Sequence, residues 1–72
     1  MKIFAICGSE NLQTGLRLAG IEGTLVQNAA DFPQAYAEAA AMQDVGIIAV
    51  SRSFAAQIKE RPATPLIVEI GD

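Results

Sequence analysis

Apolar residues in this chain gather into short, nearly unbroken runs separated by stretches where they recur at helical spacing. Lys2 to Cys7, Val45 to Val50 and Leu66 to Ile70 are the runs. Runs with little polar alternation suit strands of a parallel sheet covered on both faces. After the first run, Gly8 and Ser9 make a polar turn, and Asn11 or Ser9 can cap a helix reaching Ala19 with Leu12, Leu16 and Ala19 on one face. Gly20 and Gly23 bracket its exit, and Thr24 to Gln27 reads as a brief edge strand. Asp31 precedes Pro33, a cap followed by a first-turn proline, and opens an alanine-rich helix through Met42 with Phe32, Tyr36 and Ala40 on its stripe. Gly46, near the start of the second run, can let a backbone approach closely. Ser51 or Ser53 then starts a third helix to Glu60 that buries Phe54 and Ile58. Arg61-Pro62 and Thr64-Pro65 mark a loop before the final strand, because the residue before a proline is pushed out of helical geometry.

The order is βαβαβαβ. Its connections suit right-handed crossovers, so the expected fold is a single small Rossmann-like α/β domain: a four-stranded parallel sheet in order 2-1-3-4 with helices on both faces. At 72 residues the chain has room for one core. Although 51% of it is hydrophobic, no run approaches the ~18 residues of a membrane span, and the N-terminus lacks the pattern of a signal peptide. A net charge of -3 without any block of Lys or Arg argues against nucleic acid and anionic membrane as partners. The single cysteine excludes an internal disulfide and fits a reducing cytoplasm, and the absence of histidine removes the usual metal ligand and catalytic base.

The turn after the first strand is where an α/β fold would hold a ligand, so its residues decide the chemistry. A phosphate-cradling loop counted from Gly8 needs glycine where Gln13 stands and lysine where Thr14 stands. The dinucleotide pattern fails at Glu10, which occupies the position of the second glycine, and Glu10 would also repel an anion at the helix start. Cys7 ends the strand where some enzymes place a phosphate-accepting thiolate. Cysteine phosphatases carry an arginine across that loop, and the matching position here is Gln13. A phosphocarrier domain of the sugar-phosphotransferase kind, phosphorylated on Cys7, is the alternative reading; the other is a small apolar residue finishing a buried strand. A phospho-receiver domain is excluded because Ser51-Arg52-Ser53 follows Val50 where an aspartate is needed. Ser51 and Ser53 read as helix caps, and Asp31, Glu38 and Asp44 as capping and solvated charges without metal-ligand spacing. No catalytic, cofactor-binding or metal-ligating set emerges.

Three segments together resemble a family. Gly8-Ser9-Glu10 through Thr14-Gly15-Leu16-Arg17-Leu18-Ala19-Gly20-Ile21 is similar to the first turn and helix of the central-stalk F subunit of the V-type and A-type rotary ATPases (ATP synthases). Asp44-Val45-Gly46-Ile47-Ile48-Ala49-Val50 with Phe54-Ala55-Ala56-Gln57-Ile58 resembles its third strand and helix, and Pro65-Leu66-Ile67-Val68-Glu69-Ile70 its closing strand. The resemblance implies a non-catalytic central-stalk subunit of the soluble sector. It would dock on the long helical hairpin of the D subunit and, through it, on the catalytic ring and the membrane rotor, in support of ATP-coupled proton or sodium transport. It would be cytoplasmic, peripheral to the membrane and without a cofactor. Gly15 and Gly20 would then permit close helix-to-sheet packing and a tight exit. Ser9 departs from the family's usual aspartate. The family's pattern also continues past Gly71-Asp72 into a further tail, so the expectation is a single globular domain of this family over residues 1–72 that lacks it. Arg52, Phe54, Gln57 and Arg61 mix aromatic and arginine anchors and are the expected partner-binding residues.

Overall fold

The computed structural model describes residues 2–60 and 65–71. Its strands are β1 (Lys2–Cys7), β2 (Glu22–Leu25), β3 (Val45–Ser51) and β4 (Leu66–Ile70), all parallel and in the order β2-β1-β3-β4. Helices α1 (Glu10–Leu18), α2 (Phe32–Ala40) and α3 (Arg52–Ala55) lie between them. The expected topology therefore holds.

Helix α1 is set by its ends. Ser9 is extended and its hydroxyl accepts from the Leu12 amide at 3.2 Å, which makes it the cap in place of Asn11. At the other end Gly20 takes φ 87°, its amide donates to Arg17 O and the Ile21 amide reaches Leu16 O, both at 2.9 Å. This pair of bonds closes the helix, and Leu16 and Ile21 pack on the same apolar cluster. Leu12 and Leu16 seat α1 on Ala5, Cys7 and Ala49, but Ala19, expected on that stripe, is exposed.

The opposite face holds the larger cluster. Ile6, Val26, Phe32, Ala39, Ile48, Val50, Phe54 and Ile67 pack there under α2 and α3. Phe32 is 2% exposed and stacks on Tyr36 at 5.7 Å and on Phe54 at 5.4 Å between ring centroids. The buried alanine of α2 is Ala39 rather than the expected Ala40, and the helix ends at Ala40, short of Met42. Its entry also differs. A 3-10 turn at Ala29–Asp31 precedes it, capped by the Asn28 side chain, while Asp31 makes no side-chain cap bond. Proline in the first turn of α2 is as expected.

Helix α3 is the clearest departure. The serine and Phe54–Ile58 spacing predicts a helix to Glu60, but α3 ends at Ala55. Gln57 and Ile58 continue it only as tight turns, donating to Phe54 O and Ala55 O. So short a helix gains nothing from propagation and is held by the burial of Phe54 and Ala55. The predicted loop at Arg61-Pro62 and Thr64 lies outside the described residues. β2 starts at Glu22 rather than Thr24 and is an edge strand, as expected. Gly46 sits where the β1–β3 register slips, between the Lys2–Val45 and Ile3–Ile47 pairs, which is a bulge position suited to glycine.

Two glycines have opposite roles. A Cβ on Gly23 would stand 2.6 Å from Ala5 O, across the β1–β2 pair. A Cβ on Gly15 would meet nothing within 4 Å, so the expectation that Gly15 allows close helix-to-sheet packing does not hold. Gly23→Ala should lower stability by about 1–3 kcal/mol through strain. Gly15→Ala should raise it by about 0.5–1 kcal/mol through helix propensity. Urea unfolding followed by circular dichroism reads both.

Candidate functional site

The carboxyl edge of the sheet, where β1 turns into α1, is the place an α/β fold offers a ligand. Here that turn is closed by the protein's own groups. Ser51, the last residue of β3, is fully buried, and its hydroxyl oxygen accepts from the Gly8 amide at 2.7 Å. Ser51 is thus not the side-chain cap that the sequence suggests, since it makes no cap bond to α3. It ties the ends of β3 and β1 together across the sheet. The Ser9 hydroxyl and carbonyl accept from the Leu12 and Gln13 amides, and the Val26 amide donates to Cys7 O at 2.9 Å. The Gly8 amide, which could face a phosphate, serves the fold instead, and Glu10 adds a negative charge in the first turn of α1.

Cys7 is fully buried in the cluster under α1. A thiol there packs as a small apolar group, whereas a phosphate acceptor needs access and a positive environment. Among the described residues no group of three or more Cys, Asp and Glu could hold a metal ion, and no buried side-chain polar atom lacks a partner. No helix among them is long and apolar enough to cross a membrane.

Two concavities lie at the far, amino edge. A cleft of about 400 Å³ is lined by Phe4, Arg17, Gly20, Ile21, Glu22 and Gly23, and one of about 300 Å³ beside it by Lys2, Ile3 and the same turn. Lys2 and Glu22 are paired there. Lys2 Nζ lies 3.0 Å from Glu22 and 3.8 Å from Asp44. The hydrogen bond to Glu22 and its charge, with a smaller contribution from Asp44, hold the ammonium above its ordinary value. A lysine raised in the fold stabilises it below the unfolded pKa, and that contribution disappears as pH climbs through the folded value, so any effect belongs to strongly alkaline solution.

The four expected partner-binding residues are not presented alike. Arg52 is exposed at the first position of α3. Phe54 is 7% exposed, its ring committed to Phe32. Gln57 is exposed, and its side-chain Nε2 donates to Ala29 O at 3.0 Å, tying the turn after α3 to the entry of α2. Arg61 lies outside the described residues. The Ser51–Gly8 bond was not foreseeable from the chain. Its only signal was a serine ending a buried apolar run, a pattern shared with helix caps.

The sequence model of one family, described as the ATP synthase (F/14-kDa) subunit, matches residues 4–72. A search among curated proteins finds no match.

Ser51→Ala would leave the partly buried Gly8 amide without its acceptor, at a cost of about 1–3 kcal/mol, and should speed hydrogen exchange at that amide. Cys7 should resist a thiol reagent in the native protein and react at once in denaturant. Rapid native labelling would revive the phosphate-acceptor reading.

Proposed function

Since the chain belongs to the family of the ATP synthase (F/14-kDa) subunit, we propose that it serves as the non-catalytic central-stalk subunit of the soluble sector of a V/A-type rotary ATPase. In this reading it docks on the long helical hairpin of the stalk, turns with it inside the catalytic ring, and supports the coupling of ATP chemistry to proton or sodium transport by the membrane rotor. It works on the cytoplasmic side, held to the membrane only through the complex. The observation that carries the proposal is the family match, which spans 4–72 and so includes every strand from Phe4 onward. The ligand turn supports it from a different direction, because its amides and hydroxyls are used to lock β1 to β3 and to cap α1. A scaffold needs that rigidity and no bound nucleotide.

In the same proposal Arg52 and Gln57 meet the partner at the carboxyl edge, Phe54 supports them from the core, and Arg61 extends the basic side of the contact. Arginine is favoured in such positions because its planar fork can pair with carboxylates at an interface.

Co-expression with the stalk hairpin of the same complex tests the reading. The two chains should co-elute at equal stoichiometry, and the chain alone should hydrolyse no ATP. Independent elution would sink it. Arg52→Glu should weaken the complex by about tenfold if this edge is part of the contact, as read by calorimetry; unchanged affinity would remove Arg52 from the interface.

A further inference from the structure

Of the three α-helices described, α1 alone has no buried residue. Helix α2 buries Phe32 and Ala39, and α3 buries Phe54 and Ala55. On α1, Leu12 and Leu16 are half-buried against three small side chains, Ala5, Cys7 and Ala49, and Leu18 is 84% exposed. Lifting α1 therefore uncovers little apolar surface, whereas unseating α2 or α3 would break the stack of Phe32 on Phe54 at the centre of the larger cluster.

Polar ties hold α1 weakly. Among the described residues, one hydrogen bond from an α1 side chain reaches the sheet, Gln13 Nε2 to Gly23 O at 3.4 Å, which is long for such a bond. The bonds at its ends, from Leu12 and Gln13 to Ser9 and from Gly20 and Ile21 to Arg17 and Leu16, stay within the helix and its caps. Gly15 stands in mid-helix with open space where a Cβ would be, so it lowers helix propensity without making a contact. No second helix flanks α1 on that face among the described residues. A nine-residue helix is marginal without such support. The next strand, in contrast, is pinned without α1. β2 pairs with β1 from Phe4 to Cys7, and Glu22 meets Lys2 at 3.0 Å. Val26, just after it, is buried in the larger cluster with its amide on Cys7 O at 2.9 Å.

We propose that α1 is a cover that opens on its own: Glu10–Leu18 lifts from the sheet while the four strands and the other two helices stay folded. Local openings of this kind have free energies below that of global unfolding, and they fall to the elements with the fewest buried contacts. Cys7 is fully buried beneath α1, so a reagent reaches it when the cover lifts. Its labelling is then slow in the native protein, yet faster than global unfolding would permit. The cover belongs to the isolated chain and is independent of the stalk reading.

Native-state hydrogen exchange on the full chain, in urea below its unfolding midpoint, tests it alongside the rate at which a dilute thiol reagent labels Cys7. Amides inside α1 should exchange at least about tenfold faster than those of the central strands β1 and β3, and should respond weakly to urea because their opening exposes little surface. Ile48→Val, in the larger cluster on the other face, should speed exchange in β1 and β3 by about two- to tenfold. It should leave α1 exchange and Cys7 labelling unchanged. Gly15→Ala should slow α1 exchange and Cys7 labelling together, by about two- to fivefold. Equal acceleration of α1, Cys7 and the strands in Ile48→Val would mean that α1 opens only with the whole fold, and would overturn the cover. So would Cys7 labelling that Gly15→Ala leaves at the wild-type rate, since the reagent would then enter by another opening.

Discussion

Phe32 is the contact on which the two-helix face of this protein depends. Its ring stacks on Tyr36 within α2 and on Phe54 from α3, and it sits over the sheet beside Ile6, Ile48 and Val50. A helix as short as α3 has no stability of its own, so its place is fixed by the ring of Phe54 against Phe32. Removing that ring would empty the centre of the larger cluster, a loss of about 3–5 kcal/mol in a typical core. For a chain of this size that is a large share of total stability. Gln57 adds a polar tie at the rim by holding Ala29 O at the entry of α2.

With two helices drawn to one face, α1 alone covers the other among the described residues. Right-handed crossovers explain the division: the chain moves outward from β1 to β2, then back across the sheet to β3 and on to β4. The first connection lands on one face and the next two on the opposite one. The exposed apolar strip over β3 and β4 is thus a consequence of topology.

The carboxyl edge follows a different logic. In an α/β fold used for binding, the turn after β1 keeps its amides turned to the ligand. Here Gly8 gives its amide to Ser51, and Ser9 uses its oxygens on the first turn of α1. What remains is a hydrogen-bonded joint between the ends of the two central strands. The family match places the chain among ATP synthase (F/14-kDa) subunits, and the closed turn is a separate observation of the fold.

Much of this was legible in the chain alone. Unbroken apolar runs and the glycine turns pointed to the strands and their parallel order and narrowed the α1 cap to Asn11 or Ser9, because burial on a sheet and satisfaction of helix-end amides are local demands that a sequence states directly. Missing residues were equally legible: without lysine at Thr14 or arginine at Gln13, phosphate chemistry at the turn had no support. The length of α3 was not legible, since Ser51-to-Ile58 carries a helical spacing whose true role is to bring Phe54 to Phe32. The burial of Phe54 was legible, but its stacking on Phe32 was not. Gly15 fitted the pattern of close packing, and only the fold reveals the open space beside it. Sequence by itself determined which segments become strands and which phosphate-binding patterns it does not carry, because both depend on residue type and near neighbours. Tertiary structure alone decided which apolar residues are covered, because coverage depends on where crossovers place helices brought together from distant parts of the chain.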